Sequence, residues 1–129
     1  MITVYKMIHE HLKGADFYEQ LDGRLYFGEA KQNGGSPYAV LFGVSIDIED
    51  TFEEDIKELV FQVNIYSDST SALEVLSLAR SGLDALDGAV LYVPGYRKAG
   101  VTNSFQSPPL KGDGFWTVSL EFTTILQKG

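Results

Sequence analysis

Histidine is scarce in this sequence, and the two present, His9 and His11, stand two residues apart. On a helix that spacing turns them to different faces, whereas a shared metal ion needs ligands three or four apart. No G-x-S-x-G turn presents a serine for either imidazole to activate. There is no cysteine, which removes disulfides and thiolate metal sites together. Carboxylates are plentiful: Asp47, Glu49, Asp50, Glu53, Glu54, Asp55 and Glu58 surround Lys57 alone. Paired carboxylates do acid–base chemistry when burial splits their pKa values, and a charged tip in water offers no such burial. A calcium loop of the EF-hand type needs oxygen ligands at fixed alternate positions around a central Gly. This segment has no Gly and carries Phe52 in its middle. The run Lys31-Gln32-Asn33-Gly34-Gly35-Ser36 is followed by Pro37 and a strand pattern, whereas a phosphate cradle opens a helix and ends in Lys-Ser/Thr. Trp116 keeps step with Val118 and Leu120, the mark of core packing rather than of a stacking platform. Arg97, Lys98 and Lys111 form a thin basic set suited to loop contacts. No residue announces a reaction, and no catalytic residue, cofactor or metal site is assigned.

The elements that would position these residues centre on 37–66. Tyr38, Val40, Phe42, Val44, Ile46 and Ile48 alternate as large apolar residues, and Leu59, Phe61, Val63 and Ile65 repeat the stripe. Period two predicts two strands with one buried face each, joined as a long antiparallel β-hairpin (about 37–66). The even positions are the expected buried set of the first strand. A central amphipathic helix (about 69–86) follows. Its starts are Asp68, Ser69 or a Ser71–Glu74 capping box, its stripe is Ala72, Leu76, Ala79, Leu83 and Leu86, widened by Leu73 and Val75, and Gly88 is its stop. An N-terminal helix over 2–13 ends at Gly14, and a second helical turn covers 15–21. Short strands are expected at 24–28, 89–93 and 101–107. Pro108-Pro109 and Lys111-Gly112-Asp113-Gly114 read as loop, and a last alternating strand runs from Phe115 to Leu126. The class is α+β with a mainly antiparallel sheet.

At 129 residues the chain is expected to form one domain, 1–129, large enough for a core without staples. The apolar runs are strand-length and interrupted, so no membrane span is expected, and the N-terminus has no signal-peptide pattern. Net charge is −8, from 18 acids and 10 bases. Such a chain does not grip phosphate backbones, which require clustered Lys and Arg, but it lets DNA pass without sticking.

The order of elements resembles the tail terminator, or tail completion, proteins of long-tailed bacteriophages, which include the small tail-to-head joining proteins. The features that carry the likeness are a short N-terminal helix, Arg24-Leu25-Tyr26 before a Gly-containing loop, and Pro37-Tyr38 opening a long strand. Phe61-Gln62-Val63-Asn64-Ile65-Tyr66-Ser67 then runs straight into an Ala/Leu-rich helix, and an alternating strand closes the chain. The Gly-rich 31–36 insertion and the Pro108-Pro109 loop have no counterpart in that pattern. The resemblance implies a non-enzymatic virion protein of the tail, assembled in the host cytoplasm. It implies a ring, usually a homohexamer, that caps the tail tube protein, ends tail elongation and meets a head-completion or connector protein. DNA passes through the lumen without specific binding. Glu49, Asp50, Glu53, Glu54 and Asp55 are then expected to face the lumen or the tube.

Two other classes fit the same residues. One is another virion subunit, of the tail tube or of head completion. The other is a monomeric ligand-binding or accessory domain with a cleft between the helix and the 94–114 loops, which light scattering would show as a sole species near 14.3 kDa.

Overall fold

Helix α1, Ile2–Lys13, forms because Val4, Ile8 and Leu12 recur every fourth residue and all three are buried. The structure, a computed structural model, describes the backbone of residues 2–31, 34–50 and 55–129, and side chains over 4–31, 34–44 and 57–129. The two histidines fasten α1 to its neighbours instead of facing water alone. His9 Nε2 lies 3.4 Å from the Leu25 carbonyl, and His11 Nε2 lies 2.8 Å from the carbonyl of Ala85. A short helix α2, Asp16–Gln20, buries Phe17 and ends in a turn where Asp22 and Gly23 both have positive φ.

The described residues hold seven strands. They are β1 Leu25–Phe27, β2 Tyr38–Asp50, β3 Asp55–Ser67, β4 Val90–Leu91, β5 Ala99–Gln106, β6 Leu110–Gly112 and β7 Phe115–Gln127. The order across the sheet is β1-β2-β3-β7-β5-β4, with β6 also paired to β7. Only β1–β2 is parallel, so the class is α+β with an antiparallel-dominated sheet. Residues 51–54, between β2 and β3, lie outside the described residues.

The buried face of β2 is not the expected one. Ala39 and Leu41 are fully buried, while of the expected set Val40 is buried at 7%, Tyr38 and Phe42 are half-exposed, Val44 is 49% exposed, and the side chains of Ile46 and Ile48 lie outside the described residues. Register explains this. Ala39 pairs with Ile65 and Leu41 with Val63, so the odd positions of β2 share the core face with the odd positions of β3. Tyr38, Val40 and Phe42 pair with Tyr66, Asn64 and Gln62 on the opposite face. A bulge between Gly43 and Ser45 then shifts the register by one, so that Ile46 stands opposite Leu59. On β3 the expected stripe of Leu59, Phe61, Val63 and Ile65 is buried throughout.

Helix α3 spans Leu73–Leu86, starting later than the expected 69. The serines before it make local turns instead: Ser67 Oγ accepts from the Ser69 amide, Ser69 Oγ from Ser71, and Ser71 Oγ from Leu73. The Ser71–Glu74 box does not close, because the Glu74 carboxylate takes a 2.6 Å hydrogen bond from the buried Ser67 hydroxyl. The buried stripe is Val75, Leu78, Ala79, Gly82 and Leu86, leaving Leu73 and Leu76 exposed. Gly82 sits where a Cβ would stand 3.2 Å from Leu120 and 3.3 Å from Phe17, so its missing side chain lets α2, α3 and β7 meet. Beyond α3, Gly88 takes a positive φ and Asp87 Oδ1 accepts the Asn103 amide. The segment expected to be loop after Pro109 holds β6, joined to β7 by Asp113-Gly114. Both residues have positive φ, as a two-residue type I′ turn requires.

The approach of α1 to the bulge also depends on a missing side chain. A Cβ on Gly43 would run into the hydroxyl end of Tyr5, whose ring packs at 5.1 Å on Phe27. Gly43→Ala is expected to cost about 1–3 kcal/mol by forcing Tyr5 out. Part of that loss should return in the Gly43→Ala/Tyr5→Phe double variant. Urea titration of the four chains of this cycle is the check, and strictly additive effects would show that the two residues do not meet.

Candidate functional site

The helices pack on the face of the sheet that carries Leu59, Phe61, Val63, Ile65, Val118, Leu120 and Phe122. Among the described residues no helix lies on the other face of β2, β3 and β7. Alternation fixes what it shows: Glu58, Val60, Gln62, Asn64 and Tyr66 on β3, opposite Ile125, Thr123, Glu121, Ser119 and Thr117 on β7. Its middle is a polar ladder, with Gln62 Nε2 donating to Asn64 Oδ1 at 2.7 Å and Asn64 Nδ2 donating to the Tyr66 hydroxyl at 3.4 Å. Among the described positions of this face on β2, β3 and β7 the charges are Glu58 and Glu121, and there is no Lys or Arg.

One end of the bare face is aromatic. The Tyr38 and Tyr66 rings stack at 4.8 Å and 17°, Phe115 meets both edge-on, and Tyr26 stands 6.2 Å from Tyr38. Clefts open on both sides of this group. One runs past Gly28, Glu29 and Ala30 to Phe42, and another runs past Leu110, Lys111 and Asp113. Arg24 fixes the chain beside it. Its Nε donates to the Pro37 carbonyl at 2.8 Å, its guanidinium donates to the Ser36 carbonyl at 2.9 Å, and Asp22 pairs with it at 3.5 Å. The sequence signal for this cluster was the aromatic content of the even positions of β2, read above as core.

Of the residues singled out by sequence, Glu49 and Asp50 end β2 and Asp55 begins β3, with Asp50 paired to Asp55, and their side chains lie outside the described residues. Glu53 and Glu54 lie outside them entirely. Arg97 and Lys98 are exposed in the loop before β5; the Arg97 amide donates to Gln127, and the Lys98 ammonium lies 5.3 Å from the Tyr92 ring. Lys111 lies 5.4 Å over Trp116, near the start of β7. A strand of that length puts Lys111 roughly 35 Å from the loop at the other end of β7, so the three cations do not form one patch. Among the described residues no group of His, Asp and Glu is arranged to hold a metal ion.

Burial pushes the Tyr38 phenol above its ordinary value of 10.0, and the Tyr66 and Tyr26 hydroxyls push it the same way. The folded pKa is raised, so the unfolded chain loses this proton first. The stability tied to it is complete below about pH 10 and is lost as pH rises through the folded value. Tyr5, raised by burial, acts in the same direction. The urea midpoint is expected to fall above about pH 10, less steeply in Tyr38→Phe than in the parent chain. Equal slopes for the two would mean that Tyr38 ionises as freely in the folded chain as in the unfolded one.

Solved structures share this arrangement, two of them as follows. A chain from the virion of a native gene transfer agent particle superposes with a TM-score of 0.79 at 16% identity, over 95% of this chain and 92% of that one. A second superposes with a TM-score of 0.60 at 19% identity, over 97% of this chain and 96% of the other. At these identities the likeness is one of fold. No curated protein matches in sequence. The family model described as tail completion protein gp17 matches residues 6–127. The chain therefore belongs to the tail completion protein gp17 family, structural proteins of the phage virion located in the tail.

Proposed function

We propose that the chain, acting as one unit over 1–129, forms a ring that caps the last ring of tail tube subunits, ends tail elongation and joins tail to head. Six copies is the number implied by the family resemblance. The observation that carries the reading is the helix-free sheet face, whose middle is a polar ladder and which bears Glu58 and Glu121 with no cation among its described positions on β2, β3 and β7. Such a face repels phosphates and gives DNA nothing to hold while it moves. A second feature supports assembly. Among the described residues no strand pairs with β2 on its outer side beyond Leu41, so the backbone edge from Phe42 to Asp50 is open to a neighbour. Head-to-tail contacts between identical copies cover such an edge and close into a ring. Glu49, Asp50, Glu53, Glu54 and Asp55 then face the lumen or the tube, and Arg97, Lys98 and Lys111 make contacts at its rim.

Electron microscopy of the purified chain mixed with tail tubes tests this. Discrete rings at tube ends are expected, whereas open tubes of this chain alone would mark it as a tube subunit. Changing Glu49, Asp50, Glu53, Glu54 and Asp55 together to Lys is expected to lower infectivity by about tenfold or more, since each new cation adds a phosphate contact. Infectivity equal to that of the parent would take these residues out of the passage and the tube interface.

A further inference from the structure

The cleft beside the stacked tyrosines has the chemistry of a groove for extended proline-containing chain. It holds about 310 Å³ and is lined by Tyr38, Tyr66, Val40, Phe42, Asn64 and the exposed Glu29. Aromatic ridges receive pyrrolidine rings, and amide and hydroxyl groups between them meet the carbonyls of a segment that has few donors of its own. The chain also carries such a segment. Pro108-Pro109 is held to φ near −65° at both residues, and the preceding Ser107 is biased to extended backbone. Ser107 is fixed on β7 from both sides: its amide donates to the Ser119 carbonyl and its hydroxyl accepts the Ser119 amide, each at 2.9 Å. Pro108 and Lys111 are exposed, and Leu110 is 58% exposed.

The geometry points to docking of the Ser107–Lys111 segment of one copy into the Tyr38–Tyr66 cleft of the next. Three observations select a second copy as the occupant. The cleft opens on the Gly28–Ala30 side of the stacked tyrosines, whereas the chain's own Leu110 and Lys111 line the cleft on their other side and its Ser107 is held on β7, so a segment that enters the first cleft comes from a neighbour, head to tail. The charges match, because Lys111 follows the prolines and Glu29 lines the cleft. The cleft is also adjacent to the start of the open β2 edge, so one neighbour covers both. This docking rests on the ring reading and names its contact.

The chain has no cysteine, so single cysteines report cleanly. Chains bearing Glu29→Cys and chains bearing Lys111→Cys are mixed, assembled on tail tubes and oxidised mildly. Mixed 29–111 disulfides are expected, with 29–29 and 111–111 pairs scarce. Adding Pro108→Ala and Pro109→Ala to the Lys111→Cys chain is expected to abolish the mixed disulfide. Rings from the unsubstituted chain without that disulfide overturn the docking and leave the ring reading standing. Absence of rings from the unsubstituted chain removes both. A disulfide-trapped or cross-linked tube subunit at position 29 assigns the cleft to the tube and overturns the docking. An undiminished mixed disulfide after loss of both prolines reduces them to guards of the β5–β6 edge and does the same.

Discussion

β3 and β7 run antiparallel from Ile56 opposite Gln127 to Ser67 opposite Trp116 without a register shift. Every other element takes its place from that ladder. Its core face stacks Phe61 on Phe122 at 5.4 Å, and sets Val63 against Leu120 and Ile65 against Val118. Burial of each such side chain contributes about 1.5–3 kcal/mol, so the pair alone supplies a large part of the apolar surface on which α3 rests. Both strands are long, and neither has a bulge in this pairing. The bulges fall in the flanking pairs, between Gly43 and Ser45 against β3 and between Asn103 and Phe105 against β7. A rigid centre with irregular flanks keeps the two faces distinct over the full length of the pair and lets the edges turn away.

The same ladder produces the bare face. Fixing the odd residues of β3 and the even residues of β7 inward leaves no freedom for their neighbours, and period two forces Gln62, Asn64, Ser119 and Glu121 outward. The polar face is therefore a consequence of register, and its lack of cations is what sequence adds. Amides and hydroxyls in its middle satisfy one another along the strand, so that middle is neither an adhesive apolar patch nor a binding surface for phosphates. Of the exposed large apolar side chains Ile125 lies on this face, and others lie at the edges and tips, at Phe27, Tyr92, Phe105 and Leu110, and on α3 at Leu73 and Leu76. That distribution suits a subunit that meets others at its flanks and at the aromatic end of the face, and something passive across the polar middle.

How much of this was legible in the sequence follows from how local each signal is. The faces of β3 and β7 were legible because both strands alternate apolar with polar residues, and a single strand's alternation decides its face. β2 was not, because Tyr38, Val40 and Phe42 are as apolar as Ala39 and Leu41, and only pairing with Tyr66, Asn64 and Gln62 shows which side lies away from the helices, where Val40 is nonetheless buried. The later start of α3 was hidden by serines whose hydroxyls favour turns and caps alike. The β6–β7 turn was legible and was passed over: Asp113-Gly114 is a strong local hairpin signal, but the prolines just before it suggested loop. For the site, the acidic residues stood out in sequence by charge alone. The aromatic cluster did not, since Tyr38, Tyr66 and Phe115 are brought together from three strands by the sheet order.

The cost of this arrangement is an open backbone edge on a long strand, which in an ordinary monomer invites uncontrolled pairing. The chain limits that risk by position. β1 covers β2 only as far as Leu41, the bulge at Gly43–Ser45 bends the uncovered part, and the carboxylate residues Asp47, Glu49 and Asp50 fall within it. Two copies meeting there symmetrically would set acid against acid, which raises the energy of that pairing. A neighbour that brings a different, less acidic edge meets no such repulsion. Like-charge repulsion at an otherwise sticky edge therefore disfavours the isologous pair and leaves the heterologous contact, the kind that closes into a ring.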